Sequence, residues 1–136
     1  MRNFFAIAAT ILTVVSVEAR AERVTDLEVT NSFRKILRCS IGAHTTSYIF
    51  FGTKESEDAK QVYVIEGAIG SDNNLAEPVK LNAAEIKKRQ TKDIPFAYNN
   101  SQGTIKKNLV GTFLVSVEMV SPSGTIVYDN CDLGEN

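Results

Sequence analysis

The clearest alternation of apolar and polar residues runs from position 113 to position 119, where every second residue is apolar and the residues between them, except Leu114, are polar. A two-residue period of this kind predicts a β-strand with one buried face. Ser121-Pro122-Ser123-Gly124 then interrupts the pattern with residue types that favour a tight turn. Residues 125–128, which read Thr-Ile-Val-Tyr, resume a β-rich run. Together these segments predict a β-hairpin that ends just before Cys131.

Less regular patterns predict strands at three further places, which are residues 23–30, 61–69 and 78–81. The last of them contains Pro78, which a strand tolerates at the edge of a sheet. Residues 32–38 form a short amphipathic segment that points Ile36 and Leu37 toward the core.

Two segments in the second half of the chain are predicted to lie outside the sheet. Asn82 and Glu85 have the spacing of a capping box, which predicts a short helix that ends near Gln90. Residues 91–108 are polar and rich in turn residues, which predicts a surface loop.

Residues 45–60 allow two interpretations, and the fold class depends on the choice between them. As a helix, the segment runs from Tyr48 to about Lys60 with a hydroxyl residue at 45–47 as its cap and acidic residues on its wet side. As a strand, it covers residues 46–51, which are rich in β-branched and aromatic types, and ends at Gly52. We favour the helix, which predicts an α+β domain with a central antiparallel sheet and one main helix. The strand would instead give an all-β sandwich.

Residues 1–21 have the three parts of a secretory signal peptide. Arg2 supplies the positive start, residues 4–17 are mostly apolar, and Ala19-Arg20-Ala21 has the small-x-small form of a cleavage site. The run of about 14 residues is shorter than the ~20 that a membrane-spanning helix needs. We therefore expect a single secreted domain of residues 22–136, without membrane attachment after cleavage.

Cys39 and Cys131 are the only cysteines, and a secreted chain meets an oxidising environment. They predict a disulfide that ties the two ends of the domain and closes a loop of about 92 residues. Two thiols and one histidine are too few ligands for a typical metal site, so we expect neither a metal nor another cofactor. The net charge of −1 becomes about −2 without residues 1–21, which is not the balance of a nucleic-acid-binding domain.

Positive charge is nevertheless concentrated between residues 87 and 107. The basic residues there are Lys87, Lys88, Arg89, Lys92, Lys106 and Lys107. A solvated helix face and loop is the simpler interpretation, and a patch for phosphate, RNA or an acidic partner is the alternative. Tyr98 lies in the same region and is a candidate for stacking on a base.

Residues able to catalyse a reaction are few. His44 is the only histidine, and the carboxylates of Glu66, Glu118 and Asp129 lie in or beside predicted strands without a base to pair with. We therefore assign no catalytic residue and expect a protein that is not an enzyme. Asn99 begins the triplet Asn-Asn-Ser, a glycosylation sequon in the predicted loop that would be used only in a eukaryotic source.

One combination of features resembles the ribonuclease-like effectors secreted by powdery mildew fungi, whose fold is that of small guanyl-specific fungal ribonucleases. The residues that carry the resemblance are the early Cys39, Gly42, Thr45-Thr46, Tyr48-Ile49, the turn Ser123-Gly124 and the terminal Cys131. The aromatic-x-Cys signature of that family is Leu37-Arg38-Cys39 here, without the aromatic residue.

The resemblance implies a bridge between the end cysteines, one helix packed across an antiparallel sheet, and the loss of catalytic residues. It further implies a protein delivered into host cells, where it binds RNA or a host protein and is recognised by plant immunity. Independently of the resemblance, we expect a monomer. Two other classes stay open. One is a bacterial periplasmic or secreted β-sandwich that acts as an inhibitor, immunity protein or chaperone. The other is a secreted hydrolase.

Overall fold

The computed structural model describes residues 22–43, 46–55, 61–71, 73–88, 92–108 and 114–134. The predicted signal peptide and His44 lie outside these ranges. In chain order the elements are β1 (Glu22–Val24), α1 (Asp26–Ser32), β2 (Phe33–Ser40), β3 (Ser47–Lys54), β4 (Val62–Ala68), β5 (Asn73–Val79), α2 (Ala83–Lys87), β6 (Ile94–Tyr98), β7 (Ser101–Asn108), β8 (Leu114–Ser121), β9 (Gly124–Tyr128) and β10 (Asn130–Leu133).

The strands form two antiparallel sheets. The first has six strands in the order β1-β5-β4-β3-β2-β10, and the second has four in the order β6-β7-β8-β9. The chain leaves the second sheet and enters the first at Asp129, which lies between β9 and β10. Each sheet therefore has two edges, which are β1 and β10 in the first and β6 and β9 in the second.

A single hydrophobic core lies between the two sheets. Its buried side chains come from both sheets and from α2, and they include Leu37, Ile49, Phe51, Val64, Ile86, Phe96, Ile105 and Val117. The antiparallel sheet that we predicted is thus confirmed, but the single central sheet is wrong because two sheets pack face to face. This arrangement is closer to the sandwich alternative than to a sheet crossed by one main helix.

The six-stranded sheet is buried on its other face as well. A second cluster, made mainly by Val29 of α1 with Phe33, Tyr48, Phe50 and Ile65 of the sheet, lies on the side that faces away from the four-stranded sheet. The central strand β3 is consequently buried at six consecutive positions, residues 48–53. A strand covered on both faces shows a continuous apolar run instead of alternation.

The predicted helix from Tyr48 to Lys60 is wrong over Ser47–Lys54, which form strand β3. The β-branched and aromatic first half of the segment decided its structure, because these side chains fill both faces of a buried strand. The end of the predicted helix, residues 56–60, lies outside the described residues.

The predicted strand at residues 23–30 is also wrong beyond Val24, because α1 begins at Asp26. Thr25 is the N-cap of α1: its side chain accepts a hydrogen bond from the backbone N–H of Glu28, and the Glu28 carboxylate accepts one from the Thr25 N–H at 2.9 Å. This reciprocal pair satisfies two of the N–H groups that a helix start leaves open. Leu27, which lies in the middle of the predicted strand, is on α1 and 69% exposed.

The predicted surface loop at residues 91–108 is wrong as well, since β6 and β7 form an antiparallel hairpin there. Its turn contains Asn99, whose φ of 54° lies in the left-handed region that Asn tolerates. Phe96 of β6 lies over Gly103 of β7, where a Cβ atom would overlap the aromatic ring. Close ring-over-glycine packing of this kind holds the two strands together although most of their other residues are polar.

Other predicted elements are confirmed. The β8–β9 hairpin closes at the predicted Pro-Ser turn, and β4 occupies most of the predicted strand at 61–69. Asn82 caps α2 by accepting a hydrogen bond from the Ala84 N–H at 2.9 Å, although the helix ends at Lys87. The predicted edge strand at 78–81 is only partly right, because β5 covers Asn73–Val79 and lies between β1 and β4. Since β1 pairs only with the first half of β5, Pro78 has no strand on that side.

A bulge in β2 determines which face each of its residues occupies. The pairing of β2 with β3 shifts by one residue between Lys35 and Leu37, which leaves Ile36 as the extra residue. Ile36 and Leu37 therefore both enter the core between the sheets, as the sequence predicted. Phe33 and Lys35 before the bulge, and Arg38 after it, lie on the opposite face.

Candidate functional site

The predicted disulfide is confirmed. Cys39 and Cys131 lie directly opposite each other on β2 and β10, and their sulfur atoms are 2.04 Å apart. The bond attaches the final strand to the edge of the six-stranded sheet and leaves no free cysteine in the described residues. Its position within a paired strand ladder, with Cys39 buried in the core, makes it a structural link.

The basic residues of the second half do not form one continuous surface. Lys106 and Lys107 are neighbours in β7 and therefore point to opposite sides of the sheet. Lys106 is exposed and lies 3.5 Å from the Glu118 carboxylate, whereas Lys107 is 5% exposed. Lys88 and Lys92 are exposed, Lys87 is half-buried, and Arg89 lies outside the described residues.

Lys107 fastens α2 to the second sheet. Its ammonium group donates hydrogen bonds to the backbone carbonyls of Glu85 and Lys88, the second at 2.8 Å. These carbonyls belong to the end of α2, where a helix lacks donors of its own and favours positive charge. Burial lowers the pKa of Lys107, and the nearby Glu85 carboxylate partly opposes that shift. The residue is therefore unavailable to an external phosphate or RNA.

Tyr98 is also buried, which rules out the predicted role of stacking on a base. Its hydroxyl oxygen accepts a hydrogen bond from the Glu66 N–H at 3.3 Å, and the hydroxyl of Tyr128 donates to the Glu66 carboxylate at 2.5 Å. Burial is the first cause that raises the pKa of each phenol, and the negative charge of Glu66 adds to it. We call these three residues the inter-sheet clasp, because Glu66 is on β4 and both tyrosines are on the second sheet.

The remaining carboxylates do not face Glu66 across a cleft. Glu118 lies on the outer face of the second sheet beside Lys106, while Glu66 lies between the sheets. Asp129 is exposed and accepts a hydrogen bond from the backbone N–H of Gly42 at 2.9 Å. Asn99 is exposed at the tip of the β6–β7 hairpin, so a glycosylating enzyme could reach it. The described residues contain no group of three or more ligands suited to a metal ion.

The arrangement best suited to bind a ligand is a cleft of about 500 Å³ on the outer face of the six-stranded sheet, between α1 and β2. We call it the α1 cleft. It is lined by Asp26, Val29, Thr30, Phe33, Lys35, Arg38, Tyr48, Phe50 and Ile69. Ligand sites typically have volumes of roughly 300–1,000 Å³ and combine an apolar lining with a few placed polar groups.

Aromatic side chains form the floor of the α1 cleft. Phe33, Tyr48 and Phe50 are each at most 6% exposed. The rings of Phe33 and Phe50 meet edge to face, with centroids 6.4 Å apart and an angle of 75°. Such rings are held by their neighbours and would present a rigid apolar surface to a ligand.

Asp26 fixes the position of α1 over this floor. Its carboxylate accepts a hydrogen bond from the Tyr48 hydroxyl at 2.7 Å and another from the backbone N–H of Gly70. The first residue of α1 is thereby joined to β3 and to the turn after β4. The wall of the cleft is consequently preformed, with the Asp26 carboxylate held by these two donors.

Two cations line the cleft, and only one of them has a carboxylate partner in the described part of the chain. Lys35 lies 2.5 Å from the Asp132 carboxylate of β10. Arg38 is half-buried, and its guanidinium carbon lies 4.5 Å from the centre of the Tyr48 ring, which is a cation–π contact. A contact of this kind does not require the five N–H donors of the guanidinium. Arg38 is therefore the group best placed to receive an anion.

A second depression, of about 630 Å³, lies beside α2 and is larger but shallower. Its lining includes Gln61, Lys80 and Asn82 and lacks an aromatic floor. We consider the α1 cleft the better candidate because it joins a rigid apolar surface to Arg38, a cation without a carboxylate partner among the residues that the structure describes. No helix within the described ranges is both long and apolar enough to cross a membrane.

None of the cleft residues was predicted as a site from the sequence, because the register of β2 and β3 and the start of α1 bring them together. The one local signal was the spacing of Thr25 and Glu28, which marks the start of a helix. Comparisons with protein-family models, with curated proteins and with solved structures found no match for this chain.

Proposed function

We propose that the protein is a non-catalytic binding protein, exported from the cell that makes it, that holds an organic anion in the α1 cleft. The ligand class is an aromatic or aliphatic body that carries one carboxylate or sulfonate group. The observation that carries this proposal is the guanidinium of Arg38, which has no carboxylate partner in the described residues and lies beside a rigid aromatic floor. An anion there would form charge-assisted hydrogen bonds while its apolar part covers Phe33 and Phe50.

Export is supported by the signal-like sequence of residues 1–21 and by the disulfide, a bond that forms in oxidising compartments. The two stacked sheets agree better with the sandwich class of inhibitor, immunity protein or chaperone than with a ribonuclease-like domain built on one long helix. Each of these functions requires a specific binding surface, which the α1 cleft would supply.

The effector function in a host cell stays a second proposal, supported by the sequence resemblance alone. In an RNA-binding version, the exposed cations of this patch among the described residues would be Lys88, Lys92 and Lys106. Lys107 and Tyr98 cannot take part because both are buried. The patch is therefore weaker than the sequence suggested, and a host protein is the better partner for this alternative.

The α1 cleft can be tested with the purified oxidised protein and two fluorescent probes of similar shape. One is the anionic 1-anilinonaphthalene-8-sulfonate, and the other is the neutral N-phenyl-1-naphthylamine. We expect saturable binding of both, with the anionic probe bound more tightly. Arg38→Gln should lower the affinity for the anionic probe by roughly 10- to 100-fold, since a hydrogen bond to a charged group is worth about 1.5–3 kcal/mol. It should change the affinity for the neutral probe by less than about twofold.

Arg34→Gln is the matched control, because Arg34 is an exposed arginine of the same strand that does not line the cleft. Thr30→Trp, which would fill the cleft from α1, should weaken both probes. Equal effects of Arg34→Gln and Arg38→Gln, or undiminished binding to Thr30→Trp, would show that the α1 cleft is not the binding site.

A further inference from the structure

Strand β9 is an edge strand without the protection that the other edges carry. It pairs with β8 on one side only, and its sequence Gly-Thr-Ile-Val-Tyr contains neither a charged residue nor proline. Proteins commonly guard exposed edges with charges, proline or very short strands, because free backbone N–H and C=O groups accept another strand.

Each of the other three edges is protected by at least one of these features. β6 carries the exposed Pro95. β10 has only four residues and includes Asp132, which is paired with Lys35. β1 has three residues and an irregular register. The open character of β9 is therefore a property of this strand and not of the fold in general.

Exposed apolar side chains are concentrated on the same hairpin. Of the six large hydrophobic residues that are exposed in the described chain, Val120, Ile126 and Val127 lie on β8 and β9, each 42–44% exposed. Thr125 and Val127 point to the outer face of the sheet, while Ile126 points to the same side as the buried Tyr128, at the rim of the core. Both faces of the edge strand are thus apolar or uncharged.

We infer that β9 is an interface for a second copy of this chain, which pairs through its own β9 in antiparallel register about a two-fold axis at Ile126. The strand is self-complementary in this register. Ile126 lies opposite Ile126 of the other copy, and Thr125 lies opposite Val127, a β-branched pair of the kind that stabilises strand pairs. The two four-stranded sheets become one continuous eight-stranded sheet.

The charges near the strand are compatible with this register. Asp129, the first charged residue after β9, lies opposite Ser123 of the other copy, so no carboxylate faces another carboxylate. The interface is small because each strand contributes five residues. Interfaces below about 1,200 Å² are weak or transient, so we expect dissociation constants in the micromolar range instead of a permanent dimer.

Sedimentation velocity on the oxidised protein from low micromolar to several hundred micromolar concentration tests this interface. We expect the wild type to shift from monomer to dimer over that range, and amide hydrogen exchange of residues 125–127 to slow as the dimer forms. Ile126→Lys should stay monomeric, because the variant places two like charges directly opposite each other. Leu27→Lys is the matched control, since Leu27 is 69% exposed on α1, which covers the face of the six-stranded sheet that points away from the sheet containing β9, and this variant should dimerise like the wild type.

The register makes a sharper demand. Ile126→Glu should also be monomeric alone, but an equimolar mixture of Ile126→Lys and Ile126→Glu should form a mixed dimer, because only at the two-fold axis does a residue face its own copy. A wild type that is monomeric throughout, an Ile126→Lys variant that dimerises normally, or a mixture that fails to associate would each overturn the proposal. Binding of an added Gly-Thr-Ile-Val-Tyr peptide to a protein that stays monomeric would assign β9 to a different chain and overturn it too.

Discussion

The inter-sheet clasp predicts how the stability of the protein responds to alkaline pH. The hydroxyl of Tyr128 donates to Glu66 at 2.5 Å, and both Tyr128 and Tyr98 are 2% exposed. Burial, reinforced by the charge of Glu66, raises the pKa of each tyrosine above its ordinary value of about 10. In the unfolded chain both phenols ionise near that ordinary value, while in the folded protein they stay protonated.

The sign of the effect follows from the proton count. Above pH 10 the folded state holds more protons than the unfolded state, so the free energy of unfolding falls as the pH rises. Each tyrosine contributes about 1.36 kcal/mol per pH unit once its unfolded form is ionised. The two together give a limiting slope of about 2.7 kcal/mol per pH unit, and below pH 9 their contribution should be constant.

Tyr128→Phe is the perturbation that isolates one half of this slope, because it retains the ring and its packing. At pH 8 the variant should be less stable by about 1.5–3 kcal/mol, the value of a hydrogen bond to a charged group. Above pH 10 its slope should be about half that of the wild type. As a result, the difference in stability between the two proteins should shrink as the pH rises.

Urea unfolding at pH 8, 9, 10, 10.5 and 11, at constant ionic strength and with the disulfide intact, measures both quantities. Tyr98→Phe should remove the same share of the slope, and the double variant should lose both contributions. What remains should include that of Lys107, whose lowered pKa makes stability rise with pH and therefore acts in the opposite direction. Parallel pH curves for wild type and Tyr128→Phe would refute the reasoning, since they would mean that Tyr128 ionises equally in the folded and unfolded chains.

Two further predictions concern the stability of the fold. Cys131→Ser should lower the free energy of unfolding by about 4–5 kcal/mol, because the bridge to Cys39 closes a loop of 92 residues and chain-entropy models give this amount for such a loop. Urea unfolding of the wild type with and without reductant checks this, and an unchanged midpoint would contradict it. Gly103→Ala should lower the free energy of unfolding by about 1–3 kcal/mol, because its Cβ would overlap the Phe96 ring. Thermal unfolding measures this against the exposed control Gln102→Ala, and equal stability of the two variants would show that the ring can move aside.

The parts of the fold that could be predicted from sequence are those with a local signal. The period of two and the Pro-Ser turn gave the β8–β9 hairpin, and Asn82 gave the start of α2. The disulfide followed because only Cys39 and Cys131 were available to pair. The hairpin and the helix start were predicted from residues adjacent in sequence, and the disulfide from the fact that two cysteines can pair in only one way.

The errors arose where distant residues decide the structure. β3 lost its alternation because α1 covers one face and the second sheet covers the other. β7 read as a polar loop, yet its Lys107 is buried because the carbonyls at the end of α2 receive its ammonium group. The α1 cleft depends on Arg38 and Tyr48, ten residues apart in sequence, and only the register of β2 with β3 places one over the other.

The extra residue in β2 has a consequence for how this chain tolerates insertions and deletions. Because Ile36 is one residue too many for the pairing with β3, the in-and-out alternation of side chains starts again after it. If Ile36 were deleted, Leu37 would follow Lys35 directly and both would keep their partners on β3, so Arg38 would stay in the cleft and Cys39 in the core. The core would lose one buried side chain, but the cation and the half-cystine would not move. A residue inserted between Leu37 and Arg38, with the pairing kept through Leu37, would instead turn Arg38 toward the space between the sheets and Cys39 away from the core. The cleft cation and the disulfide thus share one phase of the strand, and the bulge is the place where the strand can be shortened without changing that phase.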